Sequence, residues 1–207
     1  MRKLYLLGSL AAMLSFFTPF FLSAQCALNN GIILVNNTDD DGPGSLRAAI
    51  ECANTTPGPN LIRFNIASPF DQVFFVGETT GLALPALTDP GTVIDGTTHI
   101  AFGLNNDFTP TIILDGSETP WDLPASGLDV RADDCEIYGL EIRYFPYNGI
   151  VVTGVDGVQI GRTDGMNIIY GNGDPQDIYP AANPSGPYEG SGIFFRKGLG
   201  SAFIFNI

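Results

Sequence analysis

The sequence has little positive charge. Its 207 residues include 9 lysines and arginines against 22 aspartates and glutamates, giving a formal net charge of −13. A nucleic-acid-binding protein neutralises phosphates with basic side chains, so this balance argues against a nucleic-acid partner. The balance suits a soluble extracellular protein, and a divalent-cation binder would share it. A solvated acidic surface is the favoured interpretation.

Histidine and cysteine are scarce, which restricts metal and nucleophilic chemistry. The one histidine, His99, falls in a predicted loop with no second His or Cys near it, and the three cysteines lack the paired spacing of a zinc site. Asp39, Asp40 and Asp41 invite a calcium interpretation, but Ala48 stands where the bidentate glutamate of a hand-type loop belongs. We therefore expect a structural turn there, no metal site and no cofactor. Calcium is compatible with the composition but unsupported by any ligand pattern.

Long hydrophobic runs are confined to the first 24 residues. Arg2 and Lys3 precede the largely apolar residues 4–22, and Ser23 and Ala24 offer small residues for cleavage. This pattern predicts a secretory signal peptide over residues 1–24, with a membrane helix as the weaker alternative. We therefore expect a secreted or outer-surface protein with no membrane segment after cleavage. The remaining chain, about 180 residues, is long enough for one domain with a sizeable core.

Short strands are abundant. Residues 127–130 recur 22 residues later as residues 149–152, and residues 135–137 recur 23 residues later as residues 158–160. Each copy alternates apolar and polar positions and is bounded by turn residues, as a half-buried strand is. A period near 22 with three strands and no helix predicts an all-β, three-faced parallel β-helix.

The segment before the coils predicts a separate cap over residues 25–66. It consists of a strand, a helix over residues 45–53 and a second strand. Ser45 is a natural N-cap, and an apolar stripe follows it at the spacing of a helix. Coils are then expected over residues 67–207, with a proline-rich loop at residues 171–191. Because strand-like residues end the sequence, we expect a fragment of a longer protein, or an end that stacks on another chain.

Three stretches resemble a known family. They are Asp-Gly-Pro-Gly-Ser-Leu-Arg-Ala-Ala-Ile at residues 41–50, Val-Ile-Asp-Gly-Thr-Thr at residues 93–98, and residues 127–150. In this order they resemble the N-terminal region of large secreted proteins of the pectate-lyase-like superfamily, common in Bacteroidetes. The resemblance implies a right-handed parallel β-helix whose first coil is capped by the helix. It is specific for fold and weak for function.

The cysteines predict one disulfide at most. Export makes a disulfide permissible, and Cys26 could pair with Cys52 to tie the entry strand to the helix. Cys135 falls on a predicted inward strand position, where it packs as a small hydrophobe.

Outward positions of the coils supply the candidate ligand contacts. Glu141 and Arg143 form one acid–base pair, and stacking by register is expected to place Ile113 in one outward column with Asp129, Val151 and Phe194. A lyase needs clustered carboxylates, which such a column does not provide, so surface ion pairs are favoured and no catalytic residue is assigned. The column is largely apolar, and its cover by the chain's own proline-rich loop is the favoured interpretation. A binding face is the alternative, since aromatic rings near these strands suit sugar stacking. The candidate contacts are Asp129, Arg131, Arg143, Tyr144, Tyr147 and Phe194.

Two functions follow. The first is a secreted or cell-surface β-helix module with a structural, adhesive or carbohydrate-contacting role, whose partner is an extracellular polysaccharide or a cell-surface glycan. The second is the N-terminal part of a polysaccharide lyase or glycoside hydrolase whose catalytic coils lie beyond residue 207. The absence of an acidic outward column in the sequence favours the first, non-enzymatic function.

Overall fold

The chain folds into short strands around a single helix. The computed structural model describes residues 26, 30–104, 108–121, 125–173 and 192–196, and the backbone of residues 203–204. The elements in these ranges, in chain order, are β1 (Ile32–Val35), α1 (Leu46–Thr55), β2 (Leu61–Phe64), β3 (Gln72–Phe75), β4 (Val93–Asp95), a turn of 3-10 helix (Gly96–Thr98), β5 (Ile112–Asp115), β6 (Leu128–Val130), β7 (Glu136–Tyr138), β8 (Leu140–Arg143), β9 (Ile150–Thr153), β10 (Gln159–Ile160), β11 (Ile168–Tyr170), β12 (Ile193–Arg196) and β13 (Phe203–Ile204).

The strands form three sheets in which every pair is parallel. Sheet A has the order β1-β2-β4-β7-β10-β13, sheet B the order β3-β5-β8-β11, and sheet C the order β6-β9-β12. From β4 onward the chain visits sheets A, B and C in that fixed cycle, adding one strand to a sheet at each visit. The predicted mainly β fold with three interleaved parallel sheets is confirmed, and it is compatible with a three-faced β-helix.

The predicted register of sheet C is also confirmed. Leu128 lies opposite Ile150, which in turn lies opposite Ile193. Because side chains alternate along a strand, a parallel in-register sheet stacks these positions on one face. Leu128 and Ile150 are fully buried, and each such side chain contributes about 1.5–3 kcal/mol through removal of apolar surface from water. The same alternation buries the inward residues of the other two sheets, among them Ile62, Ile94, Ile137, Ile160, Ile112, Leu114, Leu140 and Ile142.

Helix α1 packs against the first strands of sheet A. The Ser45 side chain accepts a hydrogen bond from the Ala48 N–H at 3.2 Å, which caps the helix where the sequence predicts its start. The apolar stripe is buried, and α1 contacts both β1 and β2. The Asn60 side chain donates to the Thr56 carbonyl at 2.7 Å, so an orphan carbonyl beyond the helix end is satisfied.

The cysteines behave as two classes. Cys26 and Cys52 form the predicted disulfide, with a Cα–Cα distance of 5.4 Å, so the segment before β1 is tied to α1. Cys135 is a free thiol and fully buried in the core. Burial raises the pKa of Cys135 to about 11. The thiol therefore stays neutral at physiological pH and is a poor nucleophile.

One register prediction is wrong. Ile113 belongs to β5 in sheet B, where it lies opposite Val73 and Glu141. Asp129, Val151 and Phe194 do form one column, but that column belongs to sheet C. The error assigned β5 to sheet C, although β5 pairs with β3 and β8 in sheet B.

Several predicted segments lie outside the described residues. They are the signal peptide at residues 1–24, the proline-rich loop beyond Gly173 and most of the last ten residues. In the part of the chain that the structure describes, α1 is too short to cross a membrane, and no longer apolar helix occurs.

Candidate functional site

The outer face of sheet B carries a cluster of charged and aromatic side chains. Arg143 on β8 lies opposite Asp115 on β5 and Tyr170 on β11, so three neighbouring strands place these residues in one outward column. Glu141 lies two residues before Arg143 and therefore on the same face. We call Asp115, Glu141, Arg143, Tyr144 and Tyr170 the sheet B cluster.

Arg143 is the centre of the cluster. Its Nε donates to Asp115 Oδ2 at 2.8 Å, and its Nη1 donates to Glu141 Oε1 at 2.7 Å. The Tyr170 hydroxyl donates to the same Glu141 oxygen at 2.9 Å and accepts from Arg143 Nη1 at 3.3 Å. A guanidinium held by two carboxylates and a phenol has little rotational freedom, so the cluster is pre-organised.

The side chains of the cluster are unequally covered. The Asp115 side chain is 4% exposed, that of Glu141 13% and that of Arg143 23%. Burial alone favours the neutral guanidine, but hydrogen bonds to Asp115 and Tyr170 outweigh it and raise the pKa of Arg143 above its ordinary value. Arg143 therefore stays protonated at any physiological pH, and it cannot serve as a base without first losing both carboxylate partners.

Two aromatic rings flank the guanidinium. Its carbon lies 5.3 Å from the ring centroid of Tyr144, and the rings of Tyr144 and Tyr170 meet edge to face at 5.7 Å. Tyr144 has a left-handed backbone with φ of 58°, uncommon for a tyrosine, and a Cβ on Gly171 would come within 2.8 Å of its ring. Tyr170 is 41% exposed and forms the open part of the cluster.

The structure divides the predicted contacts between two faces. Arg143 and Tyr144 lie in the sheet B cluster. Asp129 and Arg131 lie on the outside of sheet C, where Arg131 Nη2 is 2.6 Å from Asp129 Oδ2. Phe194 follows in the same column and is 41% exposed. Tyr147 lies between β8 and β9, and its backbone N–H donates to the Ala125 carbonyl at 3.1 Å.

Sequence reasoning missed the Asp115 contact and expected each acid to be isolated. That expectation is wrong on sheet B, because two carboxylates meet at one arginine. The signal was present: residues 112–115 and 140–143 both carry large apolar residues at their first and third positions, and aligning the two segments places Asp115 against Arg143. Assigning Ile113 to the wrong sheet removed this alignment.

The acidic turn at residues 39–41 is structural. Asp40 is buried, and its carboxylate accepts from Arg47 Nη2 at 3.0 Å, from the Gly77 N–H at 2.9 Å and from the Thr80 N–H at 2.8 Å. Within the described ranges, no three His, Cys, Asp or Glu side chains are grouped so that they could share a metal ion.

Comparison with models of known protein families finds no match, and comparison with curated proteins finds none either. The class of protein is described by its structure alone. It is a mainly β chain of three parallel sheets, with a polar and aromatic cluster on the outside of one sheet.

Proposed function

We propose that this chain is a secreted, right-handed parallel β-helix module without a catalytic site, which contacts carbohydrate through the sheet B cluster. The module has the kind of architecture found in the pectate-lyase-like superfamily that the sequence resembles. Its role is structural or adhesive, and its partner is an extracellular polysaccharide or a cell-surface glycan.

Three features support this architecture. The fixed A-B-C order of the sheets and the in-register stacking of Leu128, Ile150 and Ile193 fit a three-faced coil. A capped helix lies against the first strands, as the resemblance implies. Parallel crossovers are right-handed in about 98% of cases, which favours the proposed hand.

Export is supported by the disulfide between Cys26 and Cys52. Such bonds persist in oxidising compartments and are rare where thiols are kept reduced. The apolar sequence of residues 4–22, after Arg2 and Lys3, supports the same localisation.

The carbohydrate role rests on one observation, the exposed and fixed ring of Tyr170. A tyrosine face suits the apolar surface of a sugar ring, and the neighbouring Arg143 offers donors to sugar hydroxyls. The Tyr170 hydroxyl is held by Glu141 and Arg143, so the ring loses little conformational freedom when a ligand binds. An outer sheet face, rather than a deep pocket, also suits an extended polysaccharide chain.

The enzymatic alternative is a lyase or hydrolase with further coils. The meeting of Asp115 and Glu141 at Arg143 favours it, since paired carboxylates serve acid and base roles. Against it, Arg143 bonds to both carboxylates and stays charged, so each of the two acids already has a cationic partner. Incubation with polyuronate and Ca²⁺, followed by ultraviolet absorption of unsaturated product, tests the lyase form of this alternative, since a hydrolase forms no double bond. Product formation would overturn the non-catalytic proposal.

Biolayer interferometry on immobilised polysaccharides tests the carbohydrate role. The full chain is expected to bind at least one polysaccharide, and Tyr170→Ala to bind it at least about tenfold more weakly, a loss of about 1.4 kcal/mol. Phe70→Ala is the control, because Phe70 is an aromatic residue that is 75% exposed outside the cluster.

Two outcomes contradict the proposal in different ways. Binding to no polysaccharide would overturn the carbohydrate role. If Tyr170→Ala still binds and Phe194→Ala does not, the carbohydrate contact lies on sheet C and not on sheet B. Unchanged urea midpoints for the variants show that neither result comes from misfolding.

A further inference from the structure

The geometry points to a neutral polysaccharide as the ligand of the sheet B cluster, in preference to an acidic or a cationic one. This inference rests on the proposed carbohydrate role and adds the chemical class of the ligand. Two observations support it. Most of the described arginines already form ion pairs with carboxylates of this chain, and the carboxylates of the cluster are largely buried.

Arginines that could bind an anionic sugar are already paired. Four of the six arginines that the structure describes form ion pairs with carboxylates of this chain: Arg47, Arg131, Arg143 and Arg162. The other two, Arg63 and Arg196, lie on sheets A and C. Among the described residues of sheet B, Arg143 is therefore the only cation, and it is committed to two carboxylates.

The charge of the cluster opposes an acidic ligand. Two carboxylates around one guanidinium leave a net negative charge, in a chain whose formal net charge is −13. A uronate at Arg143 Nη2 would lie beside Asp115 and Glu141, whose negative charges repel it. Reaching Nε or Nη1 would displace one of these carboxylates from a covered ion pair. Both routes are unfavourable, so uronate binding is disfavoured.

A cationic polysaccharide is disfavoured for a different reason. An ammonium group needs direct access to carboxylate oxygens, and the oxygens of Asp115 are covered. Asp115 Oδ1 accepts from the Ser117 N–H at 3.0 Å, and its Oδ2 accepts from Arg143. Glu141 Oε1 already accepts from both Arg143 and Tyr170. Glu141 Oε2 accepts no hydrogen bond from a described residue, but the Glu141 side chain is only 13% exposed. Most of the carboxylate oxygens are therefore engaged or covered, and the open aromatic feature of the cluster is Tyr170.

The groups that remain for a ligand suit a neutral sugar. Tyr170 is 41% exposed, and Arg143 Nη2 makes no hydrogen bond to any described residue. A ring face and one N–H donor group match the apolar surface and the hydroxyl groups of a hexose or pentose. Neither requires a charge on the ligand.

The test compares neutral, acidic and cationic polysaccharides in one interferometry series with the full chain. Xylan, glucomannan and β-1,3-glucan are the neutral probes, polygalacturonate and alginate the acidic ones, and chitosan the cationic one. We expect one or more neutral probes to bind at least about tenfold more tightly than any charged probe. Raising NaCl from about 0.1 M to about 1 M shortens the Debye length from about 10 Å to about 3 Å, and the neutral binding should not change with it.

The outcomes separate this inference from the proposal on which it rests. Tightest binding to polygalacturonate, alginate or chitosan, weakened by salt and by Tyr170→Ala, would overturn the neutral class while the carbohydrate role survives. Binding to none of the probes would overturn both. Tyr170→Phe keeps the ring and removes the hydroxyl; if stacking carries the affinity, it retains neutral binding that Tyr170→Ala loses. Equal loss in both variants would contradict the stacking geometry.

Discussion

Asp115 and Arg143 lie opposite each other on neighbouring strands of sheet B, with Arg143 Nε 2.8 Å from Asp115 Oδ2. The pair joins two successive passes of the chain through the sheet, 28 residues apart. Since the Asp115 side chain is almost fully covered, this bond differs in kind from an ion pair at the surface.

Asp115→Asn should destabilise the protein by about 1–3 kcal/mol, because Arg143 loses a charged partner in a largely dry position. The measurement is the midpoint of urea unfolding. Asp129→Asn is the matched control: its partner Arg131 is 59% exposed, and the expected loss is below about 1 kcal/mol. Equal losses in the two variants would show that burial of the sheet B pair has no energetic consequence.

The glycines before the strands of sheet C supply a second test. A Cβ on Gly149 would lie 2.7 Å from the Gly192 carbonyl oxygen and would overlap an Ile169 methyl group, so Gly149→Ala forces a backbone carbonyl to move. We expect a loss of about 1–3 kcal/mol in the free energy of unfolding. Gly192→Ala is the control at the equivalent position of the next strand, where the nearest atom is 3.6 Å away. A loss in Gly192→Ala as large as that in Gly149→Ala would contradict the steric explanation.

These glycines also explain why sheet C was predictable from the sequence. Residues 127–130 and 149–152 repeat at a spacing of 22, and β6 and β9 pair in the register that this repeat predicts. The repeat fixed which residues face inward, and the structure agrees.

Sheet B was not predictable in the same way. Asp115 precedes Arg143 by 28 residues and Arg143 precedes Tyr170 by 27, while Leu128 precedes Ile150 in sheet C by 22. Extra residues in a corner lengthen the spacing but leave the parallel register intact, so a fixed period misassigns the columns. A fixed period therefore does not place the cluster, whereas aligning the apolar positions of residues 112–115 with those of residues 140–143 does.

Asp40 should make the cap sensitive to strong acid. Burial alone raises the pKa of Asp40, but hydrogen bonds from the backbone of Gly77 and Thr80 and from the Thr80 and Arg47 side chains outweigh it and hold that pKa well below its ordinary value. As the pH falls below about 4, the unfolded chain binds the proton first, so stability falls. Asp40→Asn should cost about 3 kcal/mol at neutral pH.

Thermal unfolding between neutral pH and strong acid measures the effect. Stability in Asp40→Asn should depend less on pH below about 4 than it does in the natural sequence. Asp39→Asn is the control, because Asp39 is exposed and adjacent. If Asp39→Asn and Asp40→Asn flatten the curve equally, the buried hydrogen bonds of Asp40 are not its cause.

His99 should make the fold sensitive to mild acid. It is 2% exposed, and its Nδ1 lies 2.9 Å from Thr111 Oγ1. Burial lowers the pKa of His99 below its ordinary value; the nearby backbone of Ser68 and the charge of Asp71 oppose this without cancelling it. Below about pH 6.5 the unfolded chain therefore binds more protons than the folded chain, and the free energy of unfolding should decrease as the pH falls further.

The melting temperature measured between about pH 7.5 and about pH 5 tests this prediction. The sequence makes the test specific for one side chain. His99 is the only histidine in the chain, and histidine is the side chain whose ordinary pKa lies in that range. His99→Gln should remove the decrease, whatever its effect at neutral pH, since an amide does not titrate. A melting temperature that rises on acidification, or a decrease that persists unchanged in His99→Gln, would show that His99 is not the group that couples proton binding to unfolding.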